Sequence, residues 1–150
     1  MLKVNTADDL KKITDYYDEV LQLYNEAKTY VLSFKCCHSI RNSWIAYECG
    51  YIIGIFLFEV EVMGGEKDNQ FFWVIVGDLP PVCISKEESS TAYKALLKYI
   101  FLMEDWISKV NMGENTTHCY PINVPCTKEY ADMLQTRIDL LREDHLNMLA

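Results

Sequence analysis

The run Phe71–Ile84, FFWVIVGDLPPVCI, constrains the fold more than any other part of the chain. Six apolar residues, Phe71 to Val76, lead directly into Gly77-Asp78-Leu79-Pro80-Pro81, and a second apolar run, Val82 to Ile84, follows. A continuous apolar run ended by Gly and Pro reads as a buried strand feeding a turn of fixed geometry. That places a sheet at the centre of the domain and the carboxylate of Asp78 at its rim. Pro80 and Pro81 lack backbone donors, so Val82–Ile84 is expected as an edge strand or a segment crossing the sheet.

The segment before it supplies a second strand. Residues 52–58 are apolar at both parities except for Gly54, and from Phe58 onward Phe58, Val60 and Val62 alternate with Glu59 and Glu61. Period two predicts a strand sandwiched in its first half and wet on one face in its second. Gly64-Gly65 and the polar residues Glu66–Gln70 then predict a hairpin loop returning into Phe71–Val76, with the two strands antiparallel neighbours in mid-sheet. Trp44–Glu48 reads as a short strand or turn, and Ser33–Ser43 as a mixed connection.

Helical periodicity accounts for the rest. Thr6 followed by Asp9 makes a capping box, and Leu10, Ile13, Tyr17, Val20, Tyr24, Ala27 and Val31 recur at alternating spacings of three and four, predicting one long N-terminal helix. The mean period of 3.5 also suits a coiled-coil seam, and hence a homodimer. A second helix is expected over Ser89–Val110, with the inner stripe Ala92, Leu96, Tyr99, Met103, Trp106 and Val110, stopped by Gly113 and Asn115. After an extended arm carrying Pro121 and Pro125, Thr127 is the expected N-cap of a last helix with Tyr130 or Ala131, Leu134, Ile138 and Leu141 inside. The expectation is a single α+β domain over 1–150: a central antiparallel sheet with a long N-terminal helix and two C-terminal helices packed on it.

At 150 residues, half of them hydrophobic, the chain can bury roughly two-thirds of its unfolded surface. The formal net charge of −8 argues against nucleic acid or an anionic membrane as partner and favours encounter with a basic protein. Met1–Lys12 has no apolar central segment, and the longest apolar run, Tyr51–Phe58, is too short to span a bilayer. A cytoplasmic protein with six reduced cysteines is therefore expected.

Candidate chemistry is sparse. A metal site would have to join Cys36, Cys37 and His38 to His118 and Cys119, but adjacent cysteines chelate poorly and no C-x-x-C knuckle is present, so neither metal nor cofactor is expected. Cys83 has no recognisable partner base. Glu59 and Glu61 share a strand face, as acid–base pairs sometimes do; a solvated strand face gives the same alternation. With Glu66 and Asp68 in the hairpin loop, these four carboxylates make an acidic patch, and Phe71 or Trp44 beside it would be an aromatic anchor for a protein partner.

The run Trp73-Val-Ile-Val-Gly77-Asp78-Leu-Pro80, followed by a helix ending in Met-Glu-Asp-Trp106 and by the A-x-x-L-x-x-R pattern of Ala131, Leu134 and Arg137, resembles a family of small uncharacterised bacterial proteins with a W-V-x-x-G-D-L-P signature. The resemblance covers about residues 52–142 and implies a bacterial, cytoplasmic α+β protein without established chemistry. Asp78 is expected to cap backbone donors in its turn, and Arg137 to pair with it. By analogy of type, small acidic bacterial proteins without catalytic motifs are often dedicated inhibitors. The first functional expectation is thus a non-enzymatic immunity protein that neutralises a cognate toxin, such as a basic nuclease domain, through Glu59, Glu61, Glu66, Asp68 and Phe71. The alternatives are a small enzyme using Glu59, Glu61 or Asp78, and a homo-oligomeric structural protein joined through the first helix.

Overall fold

A computed structural model describes residues 1–62 and 69–150 of the chain. Among these lie a five-stranded antiparallel sheet and four α-helices, divided between two compact units, 1–92 and 93–150.

The first unit contains β1 (Leu2–Lys3), α1 (Ala7–Lys11), α2 (Tyr17–Leu32), β2 (Cys37–Cys49), β3 (Ile53–Val62), β4 (Gln70–Gly77) and β5 (Leu79–Ser85). Strand order follows chain order and every neighbouring pair is antiparallel, so the sheet is a meander with β3 at its centre. The β3–β4 pairing expected from the sequence is present, with Leu57 opposite Trp73 and Glu59 opposite Phe71. Ile53 through Phe58 are buried at every position, whereas Glu59 and Glu61 are half-buried beside buried Val60. The proline-bearing strand β5 is the sheet edge. The connection expected at Gly64–Gly65 falls outside the described residues.

Two expectations are corrected. The single long N-terminal helix is instead a short helix and a longer one separated by residues 12–16. Thr14 accounts for the break: its Oγ1 accepts a hydrogen bond from the Tyr16 amide and donates to Glu48 Oε1, a local turn that competes with helical bonding. The periodic residues still share a core, but as contributions from two elements. They leave no free seam for a coiled coil, because Leu10, Val20, Ala27 and Val31 are fully buried and Tyr24 nearly so in their own unit. The capping box of α1 is present, with Asp9 accepting from the Asn5 and Thr6 amides at 3.0 Å. The second correction is β2, a thirteen-residue strand where only a short strand or a connection was expected.

Helix α2 lies across β2, β3 and β4. Val20, Leu23, Tyr24, Ala27 and Val31 on its inner face pack with Phe56, Phe58, Val60, Val74 and Val76 on one face of the sheet. Each buried Val, Leu and Phe among them contributes about 1.5–3 kcal/mol of burial. The Tyr24 hydroxyl reaches Ser43 Oγ at 2.7 Å and the Val4 carbonyl at 3.2 Å, tying helix, β2 and the chain entry together.

The second unit contains α3 (Ala92–Asn111, its first residue closing the first unit) and α4 (Lys128–Leu140), continued by a π turn and a short 3-10 turn to Leu149. Ala95, Leu96, Tyr99, Ile100, Met103, Trp106 and Ile107 form the buried stripe of α3. Thr127 caps α4 by accepting from the Tyr130 amide at 3.2 Å, and Ala131, Leu134, Ile138 and Leu141 are buried as expected. Trp106 meets Tyr130 edge-on at 6.1 Å, and Arg142 pairs with Glu104 at 2.6 Å. Residues 116–126, expected as an extended arm, contain turns and irregular chain.

Candidate functional site

The acidic strand face does bring several expected residues together. Strand parity and register put Glu59, Glu61, Phe71, Asn42 and Trp44 on one sheet face, and the Trp44 and Phe71 rings lie 6.1 Å apart. The carboxylates there are already partnered. Glu59 accepts from Asn42 Nδ2 at 2.9 Å and Asn69 Nδ2 at 3.0 Å, while Glu61 accepts from Ser39 Oγ at 3.1 Å and faces Arg41 Nε at 3.5 Å. The Asn69 and Asn42 amides hold the Glu59 carboxyl below its ordinary pKa, with a smaller contribution from Arg41 and Lys3. Lys86 Nζ sits 5.4 Å over the Phe71 ring. The face is therefore mixed in charge. Glu66 and Asp68, the other two members of the expected patch, fall outside the described residues.

Asp78 belongs to the far end of the sheet. Between Phe71, which faces Glu59, and Gly77, which precedes Asp78, six strand steps span roughly 20 Å. The three carboxylates of the enzymatic alternative thus do not converge. Glu59 is shifted downward, whereas a general acid working near neutral pH needs an upward shift.

The Gly-Asp-Leu-Pro turn has a physical reason for its first residue. Gly77 has φ +148°, and a Cβ there would lie 2.2 Å from the Ile52 carbonyl oxygen and 2.9 Å from Ile53 Cα. Only glycine lets β4 approach the start of β3 this closely. The Asp78 amide donates to that same Ile52 oxygen at 3.1 Å, and Leu79 then pairs back against Gly77. Pro80 is buried on β5, and Trp73 Nε1 donates to the Ser89 carbonyl at 2.7 Å inside the unit. Arg137 lies on α4 in the second unit, where its Nη1 donates to the Met133 carbonyl at 3.4 Å.

The cysteines show no activated thiol where the structure resolves a shift. Burial pushes Cys83 up to about 12 and Cys37 up to about 11, and burial with the nearby Asp105 raises Cys119. A raised pKa leaves little thiolate for nucleophilic work. Among the described residues no group of three or more His, Cys, Asp or Glu side chains is placed to hold a metal ion.

One further feature was not expected from the sequence. A groove of about 800 Å³ runs along the outer stripe of α2 and the β4–β5 turn. The helix side carries Asp18, Leu21, Asn25, Glu26 and Tyr30; the sheet side carries Val76, Gly77, Leu79 and Pro81. A smaller hollow of about 320 Å³ shares Gln22, Glu26 and Gly77 with it and adds Asp78, Tyr51 and Ile52, the last two 50% and 42% exposed. Two carboxylates, Asp18 and Glu26, thus line the groove with its apolar floor, and a third, Asp78, lines the neighbouring hollow. Among the described residues lining either hollow there is no Lys or Arg. The sequence signal was present in part: Asp18, Gln22, Asn25 and Glu26 form a helical stripe that reads as a solvated face until β5 is placed beside it.

No helix among the described residues is long and apolar enough to cross a membrane. No family model, curated protein or solved structure matches this chain.

Proposed function

We propose that this chain is a protein-binding module that docks a basic partner protein along the groove between α2 and the β4–β5 turn. The observation that carries the reading is the lining itself: Asp18 and Glu26 stand over Leu21, Tyr30, Val76, Leu79 and Pro81, Asp78 lines the adjoining hollow, and neither lining holds a Lys or Arg. An apolar floor supplies burial energy, and a one-signed rim steers and orients a partner of opposite charge. The net charge of −8 adds long-range attraction of the same sign. Its inhibitory form, an immunity protein that neutralises a cognate toxin such as a basic nuclease, follows by analogy from the size and acidity of the chain.

The face built from Trp44, Phe71, Glu59 and Glu61 is the second reading, favoured by its half-exposed aromatic pair. The two surfaces lie on opposite faces of the sheet and are separable by substitution. Tagged wild-type protein, Asp18→Lys/Glu26→Lys and Glu59→Lys/Glu61→Lys are used to capture partners from the source cells at low and high salt. The groove reading expects one stoichiometric basic protein that is released by salt, lost with the first variant and retained by the second. Loss with the second variant alone would transfer the docking site to the Trp44–Phe71 face.

A further inference from the structure

The structure also points to the shape of the occupant: we infer that the groove takes an amphipathic α-helix with a basic edge, laid beside α2 as a second helix on the same face of the sheet. This rests on the groove being the docking site. Helix α2 packs mainly on β2, β3 and β4, with a smaller contact to β5, which centres it near β3. Strand β5 is two places further on, about 10 Å away. Helices packed side by side have axes about 8–10 Å apart, so a neighbour of α2 would lie directly over β5.

The β5 side chains on that face are left uncovered to match. Leu79, Pro81 and Cys83, which point toward the α2 side, are half-buried, whereas Pro80, Val82 and Ile84 on the other face are buried. Leu79 and Pro81 line the groove as an apolar ledge, while Cys83, further along β5, packs against the core. The groove lining follows α2 from Asp18 to Ser33, about 23 Å of helix axis, or four turns. An extended strand added to the sheet edge is disfavoured, because Pro80 and Pro81 remove two donors from the first half of β5. Charge selects the occupant's sign. A helix with Leu-type residues facing Val76, Leu79 and Pro81 would place its flanking positions near Asp18 and Glu26, where Lys or Arg is attracted and Glu repelled.

The test uses the full chain and three synthetic peptides of about 18 residues, long enough to match the four-turn groove. One is a Leu/Lys peptide patterned at helical period, the second the same composition rearranged to period two, and the third a Leu/Glu helix. The expected result is binding of the Leu/Lys helix, with amide NMR shifts at residues 18–33 and 76–83. Affinity should fall about fivefold for Asp18→Lys and again for Glu26→Lys, as for moderately exposed charge pairs. Leu79→Arg, on the half-exposed ledge, provides a second disruption that does not touch α2. Equal or stronger binding of the period-two peptide at the same residues would overturn the helical occupant while leaving the groove as the docking site. Shifts elsewhere, or affinity unchanged in all three variants, would overturn both. Self-association of the free protein through residues 76–83, seen as a dimer in solution, would make the occupant a second copy and overturn the basic helix.

Discussion

Replacing Gly77 by alanine tests the geometry of the turn on which the groove is built. The added methyl would sit 2.2 Å from the Ile52 oxygen and 2.8 Å from the Ile52 carbonyl carbon, both backbone atoms that cannot swing aside. Strand β4 would have to move away from β3, breaking the Asp78 amide bond to Ile52 and the Gly77–Ile53 pairing. Backbone strain at such a φ is worth about 1–3 kcal/mol, and the lost hydrogen bond about 1 kcal/mol more. Gly50→Ala is the internal control: its φ of +53° carries the conformational penalty, but a Cβ there meets nothing within 4 Å. That substitution should cost about 1 kcal/mol. Urea titrations of the three proteins followed by tryptophan fluorescence give the comparison. Gly77→Ala is expected to exceed Gly50→Ala by about 1–3 kcal/mol, the part due to the collision and the broken bond. Equal losses would refute the argument that close approach, rather than φ alone, requires glycine in the motif.

Other expectations follow from the titratable groups. Glu59 has a folded pKa below its ordinary 4.5, so it contributes stability that is present above that value and lost as pH falls through the folded pKa. Glu59→Gln should therefore unfold with less dependence on pH below 4.5 than wild type, while an unchanged acid limb would contradict the Asn42–Glu59–Asn69 bonding. Iodoacetamide at pH 8 should modify exposed Cys36 and Cys126 well before Cys37 and Cys83. With a pKa of about 12, Cys83 would be thiolate in roughly one molecule in ten thousand at that pH, so its early alkylation, read by peptide mass spectrometry, would contradict its packing against the core.

The sequence-to-structure comparison turns on how far each element keeps a simple period. Strand β4 from Phe71 to Val76 and the first half of β3, Gly54 aside, are apolar runs, and their partnership, a strand at Val82–Ile84 and the wet alternation of Glu59 and Glu61 were legible, although β5 takes in the two prolines as well. Strand β2 was not, because its register shifts between Cys37 and Ser39, Ile40 and Asn42, and Ile45 and Tyr47. Each irregularity disrupts the alternation on which strand recognition depends. The seven-residue stripe from Leu10 to Val31 misled in the opposite way: both helices face one core, so periodicity survived a chain break set by the Thr14 side chain. At the site, the meeting of Glu59, Glu61 and Phe71 follows from adjacency in a hairpin. The groove instead joins Asp18 and Glu26 to Leu79 and Pro81, more than fifty residues along the chain, through the order in which the strands are laid down.

The most direct test of the docking groove is hydrogen-exchange mass spectrometry of the captured complex against the free protein. The account predicts new protection concentrated at residues 18–33 and 76–83, which line the groove and its ledge. Protection confined to 39–44, 59–61 and 70–72, the strand segments around Glu59, Trp44 and Phe71, would contradict it and place the partner on the opposite face of the sheet.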